Sequence, residues 1–304
     1  MSAAVQERTS GRAASVLHQL ASIALLFGVA VSLAGCAVAR RDRLPAAPAT
    51  LPWKSATLDE LLEKVRAQEG ALRTLNATVE IQPSVSSALQ GEVVTYRDVR
   101  AFLLIRKPAD LRMIGQYPVV RNTAFDLASD GEHFGLYVPS KNRYITGDSR
   151  GGKRSKSALE NLRPQHILDA LLWESPEAGS EEAALEVASA GRKSYYIVLI
   201  VRRGPEGKLL LARKLWFERE ALSLERLQMF DDNGEIATDA HYSDYGEFSG
   251  ISYPQSIAID RPQDEYGLVL SITNLELNQP LEDEKFRLER PAGAELVDLD
   301  QAAS

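Results

Sequence analysis

The sequence is poor in the residues that build disulfide frameworks and metal centres. Its 304 residues include one cysteine and four histidines, which excludes an internal disulfide network and a zinc site made of several cysteines. Positive charge is also in deficit, because 35 lysine and arginine residues stand against 42 aspartate and glutamate residues, a formal net charge of −7 at pH 7. Such a chain lacks the basic surface on which nucleic-acid binding depends, so nucleic acid is not an expected partner.

The overall composition is that of a folded protein. Hydrophobic residues make up 44% of the chain, charged residues 25% and aromatic residues 7%. These fractions exclude collagen-like, coiled-coil and generally disordered chains.

The N-terminal region has the pattern of an export signal. Arg8 and Arg12 precede a mostly apolar run at positions 20–33. This run is shorter than the roughly 20 apolar residues of a membrane-spanning helix, but it has the length of a signal-peptide core. We therefore predict that residues 1–35 are a signal peptide.

The lone cysteine follows this run directly, in the tetrapeptide Leu33-Ala34-Gly35-Cys36. The tetrapeptide resembles the lipobox of bacterial lipoproteins. The resemblance implies cleavage before Cys36 and a covalent diacylglycerol and acyl (palmitate-type) modification of its thiol, with no other cofactor. Ala37 stands where many inner-membrane lipoproteins carry aspartate, which favours the outer membrane and a domain that faces the periplasm. The alternative is an ordinary cysteine behind an uncleaved helix.

A proline-rich stretch separates the cysteine from the first periodic segment. Residues 36–56 contain Pro45, Pro48 and Pro52 without hydrophobic periodicity, which predicts a flexible tether behind a lipidated N-terminus. We place one domain at residues 57–292 and a C-terminal tail at residues 293–304, because no linker composition interrupts the domain.

Two helical segments and many strands are predicted within the domain. Thr57 and Glu60 have the spacing of a capping box at the start of an amphipathic helix over residues 57–75. A second helical region is expected at residues 158–174, interrupted at Pro164. Alternating hydrophobicity predicts strands at 76–82, 93–106, 111–117, 122–129, 133–138 and 142–146. A second β-rich region extends from Leu185 to Phe286, with strands at 194–202, 209–218, 224–230, 236–245, 251–260 and 268–277.

These elements define a mainly β (α+β) fold class. About 11–13 strands with two helical segments indicate a single curved antiparallel sheet or half-barrel wrapped around the helices, because one face of each strand points inward.

Two catalytic motifs match the glycine-rich segment near residue 150 only in part. Residues 147–153 fit a phosphate-binding loop, but Arg154 stands where serine or threonine is needed. Residues 147–151 fit a nucleophile elbow around Ser149, but no helix begins there. We interpret the basic segment 147–157 as a surface hairpin and expect no enzyme activity. His133, His166 and His241 lack the spacing of a metal site.

The succession of motifs along the domain resembles the LolA/LolB-like family of lipoprotein carriers and receptors. It is carried by Leu111-Arg112-Met113, Tyr117-Pro118, Ser129-Asp130-Gly131, Leu136-Tyr137 and Pro139, and near the C-terminus by Asn274-Leu275-Glu276-Leu277, Phe286-Arg287-Leu288 and Pro291-Ala292-Gly293. The resemblance implies a cavity for acyl chains and an arginine that bonds a lid helix, at the position of Arg112. A salt bridge at a strand edge is the alternative role for Arg112.

The sequence therefore favours a lipid-anchored protein that binds lipid or lipoprotein acyl chains and takes part in lipoprotein sorting. Its expected partners are the membrane, through the N-terminal lipid, and acyl chains or lipoproteins. The candidate cavity residues are Phe102, Leu104, Met113, Phe125, Leu171, Trp173 and Trp216. One alternative is a non-enzymatic envelope scaffold without a lipid cavity, which docks proteins through the sheet edge or the basic loop. A hydrolase built around Ser149 is the third.

Overall fold

The computed structural model describes residues 53–87, 92–95, 98–117, 121–151 and 163–301. The predicted signal peptide, Cys36 and most of the tether lie outside the described residues, as do Pro118 and the greater part of the basic segment.

Helix α1 spans Leu58–Ala71 and begins as the sequence predicts. The Thr57 side chain accepts a hydrogen bond from the backbone N–H of Glu60, and the Glu60 carboxylate accepts one from the backbone N–H of Thr57, which completes the capping box. The helix ends before the expected residue 75, because Leu72 is extended and strand β1 starts at Thr74.

Helix α2 spans Pro164–Leu171, half of the helical region predicted at 158–174. Pro164 occupies the first turn, where a missing N–H costs no intrahelical hydrogen bond. The chain is extended again at Leu172, which limits the helix to eight residues.

The structure has fifteen strands in its described part, against the 11–13 expected. They are β1 (Thr74–Ser87), β2 (Glu92–Thr95), β3 (Val99–Arg106), β4 (Asp110–Gln116), β5 (Thr123–Ser129), β6 (His133–Val138), β7 (Arg143–Asp148), β8 (Glu181–Ala190), β9 (Lys193–Arg203), β10 (Leu209–Glu218), β11 (Leu224–Phe230), β12 (Ile236–Phe248), β13 (Ile251–Arg261), β14 (Tyr266–Leu277) and β15 (Glu295–Asp298). The expected strand 93–106 is divided between β2 and β3, and β15 lies in the segment expected as a tail.

All fifteen strands belong to one large curved sheet. Its order is β15-β7-β6-β5-β4-β3-β1-β14-β13-β12-β11-β10-β9-β8, and β2 pairs with β1. Every pairing is antiparallel except that of β15 with β7. Strand β1 pairs with β14 in the middle of the sheet, with Leu75 opposite Leu277. In the described residues β15 and β8 are the two ends of the order, so the sheet is open.

The sheet has an inner face, which we define as the face that packs against both helices. On β3, Ala101, Leu103 and Ile105 are buried in the same hydrophobic core as Leu61 of α1 and Leu168 of α2. Alternate residues of a strand point to opposite faces, so the residues between them lie on the outer face. The core is therefore built on one side of the sheet.

After β14 the chain crosses the outer face as a C-terminal strap, residues 279–294. The Arg106 guanidinium donates a hydrogen bond to the Leu281 carbonyl at 3.1 Å and pairs with Asp283 at 2.7 Å. The Tyr144 hydroxyl donates to the Leu288 carbonyl at 3.1 Å. These contacts carry the chain from the centre of the sheet to its edge at β7.

Candidate functional site

The candidate site is the part of the inner face that helix α2 covers. Six of its eight residues are buried: Pro164, His166, Ile167, Leu168, Ala170 and Leu171. The helix packs against β13 and belongs to the same core as the sheet. Its apolar surface therefore packs directly on the sheet, where the sequence predicts a cavity for acyl chains.

Two tyrosine hydroxyls attach the C-terminal end of α2 to the sheet. The Tyr242 hydroxyl donates a hydrogen bond to the Ala170 carbonyl at 2.8 Å, and the Tyr253 hydroxyl donates to the Leu171 carbonyl at 2.8 Å. The last four carbonyl groups of a helix have no partner within the helix. Strands β12 and β13 supply the missing donors from a buried position, and burial raises the pKa of both tyrosines.

A third side-chain bond holds the N-terminal half of α2. His166 Nδ1 and the Tyr266 hydroxyl of β14 are 2.7 Å apart. Burial lowers the pKa of His166 well below its ordinary value, and the charges of Arg261 and Arg163 lower it further. The imidazole is therefore neutral at physiological pH, and the contact is a hydrogen bond between uncharged groups.

Trp173 follows the helix and fills the space beside it. Its ring stacks on Tyr253 at 6.4 Å between centroids and meets Tyr242 edge to face at 5.4 Å. The adjoining cavity, bounded by Trp173, Leu215 and Leu227, has a volume of about 10 Å³. This is space for about one water molecule, whereas ligand pockets typically measure about 300–1,000 Å³. An acyl chain does not fit in this cavity while α2 and Trp173 keep these positions.

Charged groups line one wall of this cavity. Burial raises the pKa of Asp169 to about 6, although Gln165 Nε2 donates a hydrogen bond to its carboxyl at 2.6 Å. Arg213 donates to the Glu174 carbonyl at 3.1 Å and pairs with the Glu181 carboxylate. The wall formed by Arg213 is therefore already neutralised within the chain.

The predicted cavity residues divide between the two faces of the sheet. Met113, Leu171 and Trp173 are buried in the core, and Phe125 packs against it. The Phe125 ring covers Gly115, where an added Cβ would lie 2.2 Å from a ring carbon. Met113 and Phe125 are therefore on the inner face of the sheet, and Leu171 and Trp173 belong to the core that packs against it.

Phe102, Leu104 and Trp216 lie on the outer face, contrary to the expectation that they line the inner one. Phe102 is 40% exposed, and its strand neighbours Ala101 and Leu103 are the buried ones. Trp216 contacts Tyr195 and donates a hydrogen bond to Gln228 at 3.1 Å. Their hydrophobic character suggested burial, but the strand alternation places them opposite the core.

Arg112 also lies on the outer face, and in the described part of the chain it bonds neither α1 nor α2. Its guanidinium makes two hydrogen bonds of 2.6 Å to the Asp126 carboxylate of β5. Its remaining amino group donates to the carbonyl of Arg287 in the C-terminal strap. Within the described residues Arg112 therefore has the salt bridge between strands, the alternative left open by the sequence, and not a bond to a lid helix.

Ser149 does not have the geometry of a nucleophile. It is fully buried, and its hydroxyl is 2.7 Å from that of Ser129. Its backbone N–H donates to the Glu132 carbonyl at 2.9 Å. Ser149 therefore belongs to a packed strand end rather than an exposed elbow.

The three tyrosines that hold α2 were missed by the sequence analysis. Tyr242, Tyr253 and Tyr266 are buried alongside apolar strand residues such as Ala240 and Ile257. A buried tyrosine hydroxyl needs a hydrogen-bond partner. Tyrosines at inward positions of neighbouring strands therefore indicate that backbone carbonyl groups, such as those at the end of a helix, pack against that face of the sheet.

The part of the chain that the structure describes lacks two other functional features. There, no helix combines the length and the apolar character needed to span a membrane. Likewise, no group of three or more histidine, cysteine, aspartate and glutamate residues in the described ranges is arranged to hold a metal ion.

Comparison by sequence gives no relatives, since no family model and no curated protein matches the chain. Comparison by structure gives several. A DUF1329 family protein from Desulfovibrio piger is 15% identical, covers 75% of this chain and 94% of its own length, and has a TM-score of 0.50. The two proteins are therefore similar in fold, and at 15% identity the similarity extends no further than the fold.

Two further structural neighbours have lower TM-scores. The LolA superfamily protein NE2245 from Nitrosomonas europaea is 14% identical and covers 77% of this chain and 99% of its own, with a TM-score of 0.47. A putative outer membrane lipoprotein-sorting protein domain from Vibrio parahaemolyticus is 14% identical and covers 75% of this chain and 94% of its own, with a TM-score of 0.45.

Proposed function

We propose that this protein is an exported, lipid-anchored protein of the outer membrane, facing the periplasm, that binds an acyl chain of a lipid or lipoprotein on the inner face of its sheet. Two features support the proposal. The segment before Cys36 resembles a lipobox, and the large open sheet with apolar residues on one face is a fold that resembles the LolA/LolB-like group.

The observation that carries the proposal is the way helix α2 occupies the inner face. The helix is buried along most of its length, yet its last two carbonyl groups accept hydrogen bonds from the hydroxyls of Tyr242 and Tyr253. When α2 moves away, the strand residues beneath it and Trp173 form an apolar surface for an acyl chain. Burial of that surface supplies the affinity, at about 25 cal/mol per Å² before the costs of binding.

Binding of a fluorescent fatty acid tests this proposal. The combined substitutions Tyr242→Phe and Tyr253→Phe remove both hydroxyls and leave the rings, so α2 is held less firmly and we expect tighter or faster uptake than in the wild type. Tyr117→Phe, at an exposed position, is the matched control and should bind as the wild type does. Absence of binding in every variant, together with no lipid in the purified protein by mass spectrometry, would refute acyl-chain binding.

The anchor has its own test. A labelled fatty acid fed to the expressing bacterium should appear in the wild-type protein and not in the Cys36→Ala variant. Label in the variant would contradict the lipobox interpretation without bearing on the inner face.

The second candidate function is an envelope scaffold without a lipid cavity. It is favoured by the filled inner face, where the cavity beside Trp173 has space for about one water molecule. A protein that carries no lipid and binds none, but is crosslinked in cells to an envelope protein, would support this function instead.

A further inference from the structure

Strand β8 is an open edge of the sheet. In the described residues it pairs with β9 and with no other strand, along all ten residues from Glu181 to Ala190. The opposite edge differs, because β15 has four residues and pairs in parallel with β7. A long unpaired edge offers a row of backbone N–H and C=O groups to another strand.

The side chains of β8 continue the two faces of the sheet. Ala183, Leu185 and Val187 are on the inner face, since they stand opposite Ile200, Val198 and Tyr196 of the core. Ala183 and Leu185 pack against the core, whereas Val187 is 58% exposed. The apolar side chains on the inner face of β8 are therefore only partly covered.

We propose that β8 pairs with β8 of a second copy of this chain, antiparallel and around a twofold axis at Leu185. An axis perpendicular to the sheet keeps the inner faces of both copies on the same side. Leu185 then stands opposite its equivalent, and Ala183 stands opposite Val187. The exposed valine gains an apolar neighbour in this arrangement.

The charges of β8 select this register. With Leu185 on the axis, Glu181 stands opposite Ser189, Glu182 opposite Ala188, and Glu186 opposite Ala184, so no two carboxylates stand directly opposite each other. Moving the axis by one residue places either Glu186 against its equivalent or Glu182 against Glu186, and like charges directly opposite are destabilising.

Two of the three acidic residues of β8 form ion pairs within each copy. Glu181 pairs with Arg213. Glu182 pairs with Arg203 at 3.1 Å. The pairing of two copies therefore brings together the third carboxylate of each, Glu186, at diagonal rather than opposite positions. This favours a second copy over a basic partner peptide as the occupant of the edge.

A single introduced cysteine tests the register. The chain has one cysteine, Cys36, so Cys36→Ala gives a background without thiols. In that background Leu185→Cys places two thiols on opposite residues of paired strands, about 4.5–5.5 Å apart between Cα atoms, which suits a disulfide. Val187→Cys is the control, because the two copies of residue 187 are roughly 13 Å apart along the strands.

We expect mild oxidation to give a covalent dimer of the Leu185→Cys protein and a monomer of the Val187→Cys protein. The proposal is overturned when Leu185→Cys forms no dimer. It is equally overturned when both variants crosslink to the same extent, since that result reports random collision.

Charge substitutions at Ala184 give a second test that leaves the core intact, because Ala184 is exposed. In the proposed register Ala184→Lys creates two symmetric pairs with Glu186 of the other copy, and Ala184→Glu creates two repulsions. Sedimentation should show the dimer tightened by the lysine and weakened by the glutamate, each by roughly 2- to 30-fold.

Ser252→Lys and Ser252→Glu, at an exposed position of the central strand β13, are the matched controls and should leave the dimer unchanged. A protein that stays monomeric at all concentrations, or a dimer that Ala184→Lys and Ala184→Glu shift alike, overturns the proposal.

Discussion

On the inner face of the sheet, Leu103 and its neighbours pack against two helices, while on the outer face Arg106 and Arg112, from adjacent strands of the same sheet, bond carboxylates and the C-terminal strap. The first face is stabilised by removal of apolar surface from water, which is independent of direction. The second depends on hydrogen-bond geometry. Changes of volume should therefore damage the inner face, and changes of charge the outer one.

The carboxylates of the two faces show the same difference. Asp169, on helix α2 beside the small cavity at the inner face, has its pKa raised to about 6 by burial. For Asp239, on the outer face, burial also raises the pKa, but hydrogen bonds from Arg226 and His241 outweigh it and the pKa is lowered. The ionised carboxylate of Asp169 therefore destabilises the folded state, whereas that of Asp239 stabilises it.

The largest expected effect is that of shortening an inner-face side chain. Leu103 is fully buried, so Leu103→Ala should lower the free energy of unfolding by about 2–5 kcal/mol, because it leaves a cavity in a packed core. Phe102→Ala, on the next residue and the opposite face, should cost about 1 kcal/mol or less. Urea denaturation of both variants measures the difference, and equal losses would show that the faces are not distinct.

The next effect is a change in pH dependence. Asp169 has a folded pKa of about 6 against an ordinary value of 3.8. Between these values the folded state binds more protons, so the free energy of unfolding falls as the pH rises from about 4 to 6. Asp169→Asn should abolish this fall and raise stability at neutral pH by up to about 3 kcal/mol.

The matched variant is Asp239→Asn on the outer face. Its carboxylate stabilises the folded state at pH values above its ordinary pKa, and this contribution is lost on acidification. The variant should therefore be less stable at neutral pH. If Asp169→Asn were also less stable there, the inner carboxylate would be a stabilising group and the comparison would fail.

A smaller effect separates two ion pairs of the outer face. The side chains of Arg112 and Asp126 are 11% and 18% exposed and joined by two hydrogen bonds, so Arg112→Met should cost about 2 kcal/mol. Arg203 and Glu182 are 64% and 67% exposed, and Arg203→Met should cost about 0.5 kcal/mol or less. High salt should shrink the second cost. Equal costs would show that burial does not strengthen the Arg112 pair.

The sequence predicts most of the fold because its signals are local. The Thr57 capping box is confirmed, with both of its hydrogen bonds present. The missed strand, Glu295–Asp298, has four residues and gains its stability from its partner β7, which no local pattern reports. The early end of α1 has the same cause, since Leu72 and Leu75 fit the helical period but belong to the chain leading into β1 and to β1 itself.

The candidate site is only partly predictable, because it depends on which face each residue takes. Periodicity places Met113 and Leu171 in the core, but it does not fix the side for Phe102 and Trp216, whose strands carry large hydrophobic residues on both faces. The bonds of Tyr242 and Tyr253 to α2 join residues more than seventy positions apart. Contacts of that range follow from the assembled sheet alone.

The pairing of β1 with β14 bears on the order of folding. Leu75 meets Leu277, and the strap then returns to β7. Chains dominated by such non-local pairings fold slowly, because long loops must close before the contacts form. During synthesis or transport, β1 can pair with β3 early, but it cannot pair with β14 until nearly the whole polypeptide is available. The sheet is therefore completed by β14 and β15, the last two strands in the described part of the chain.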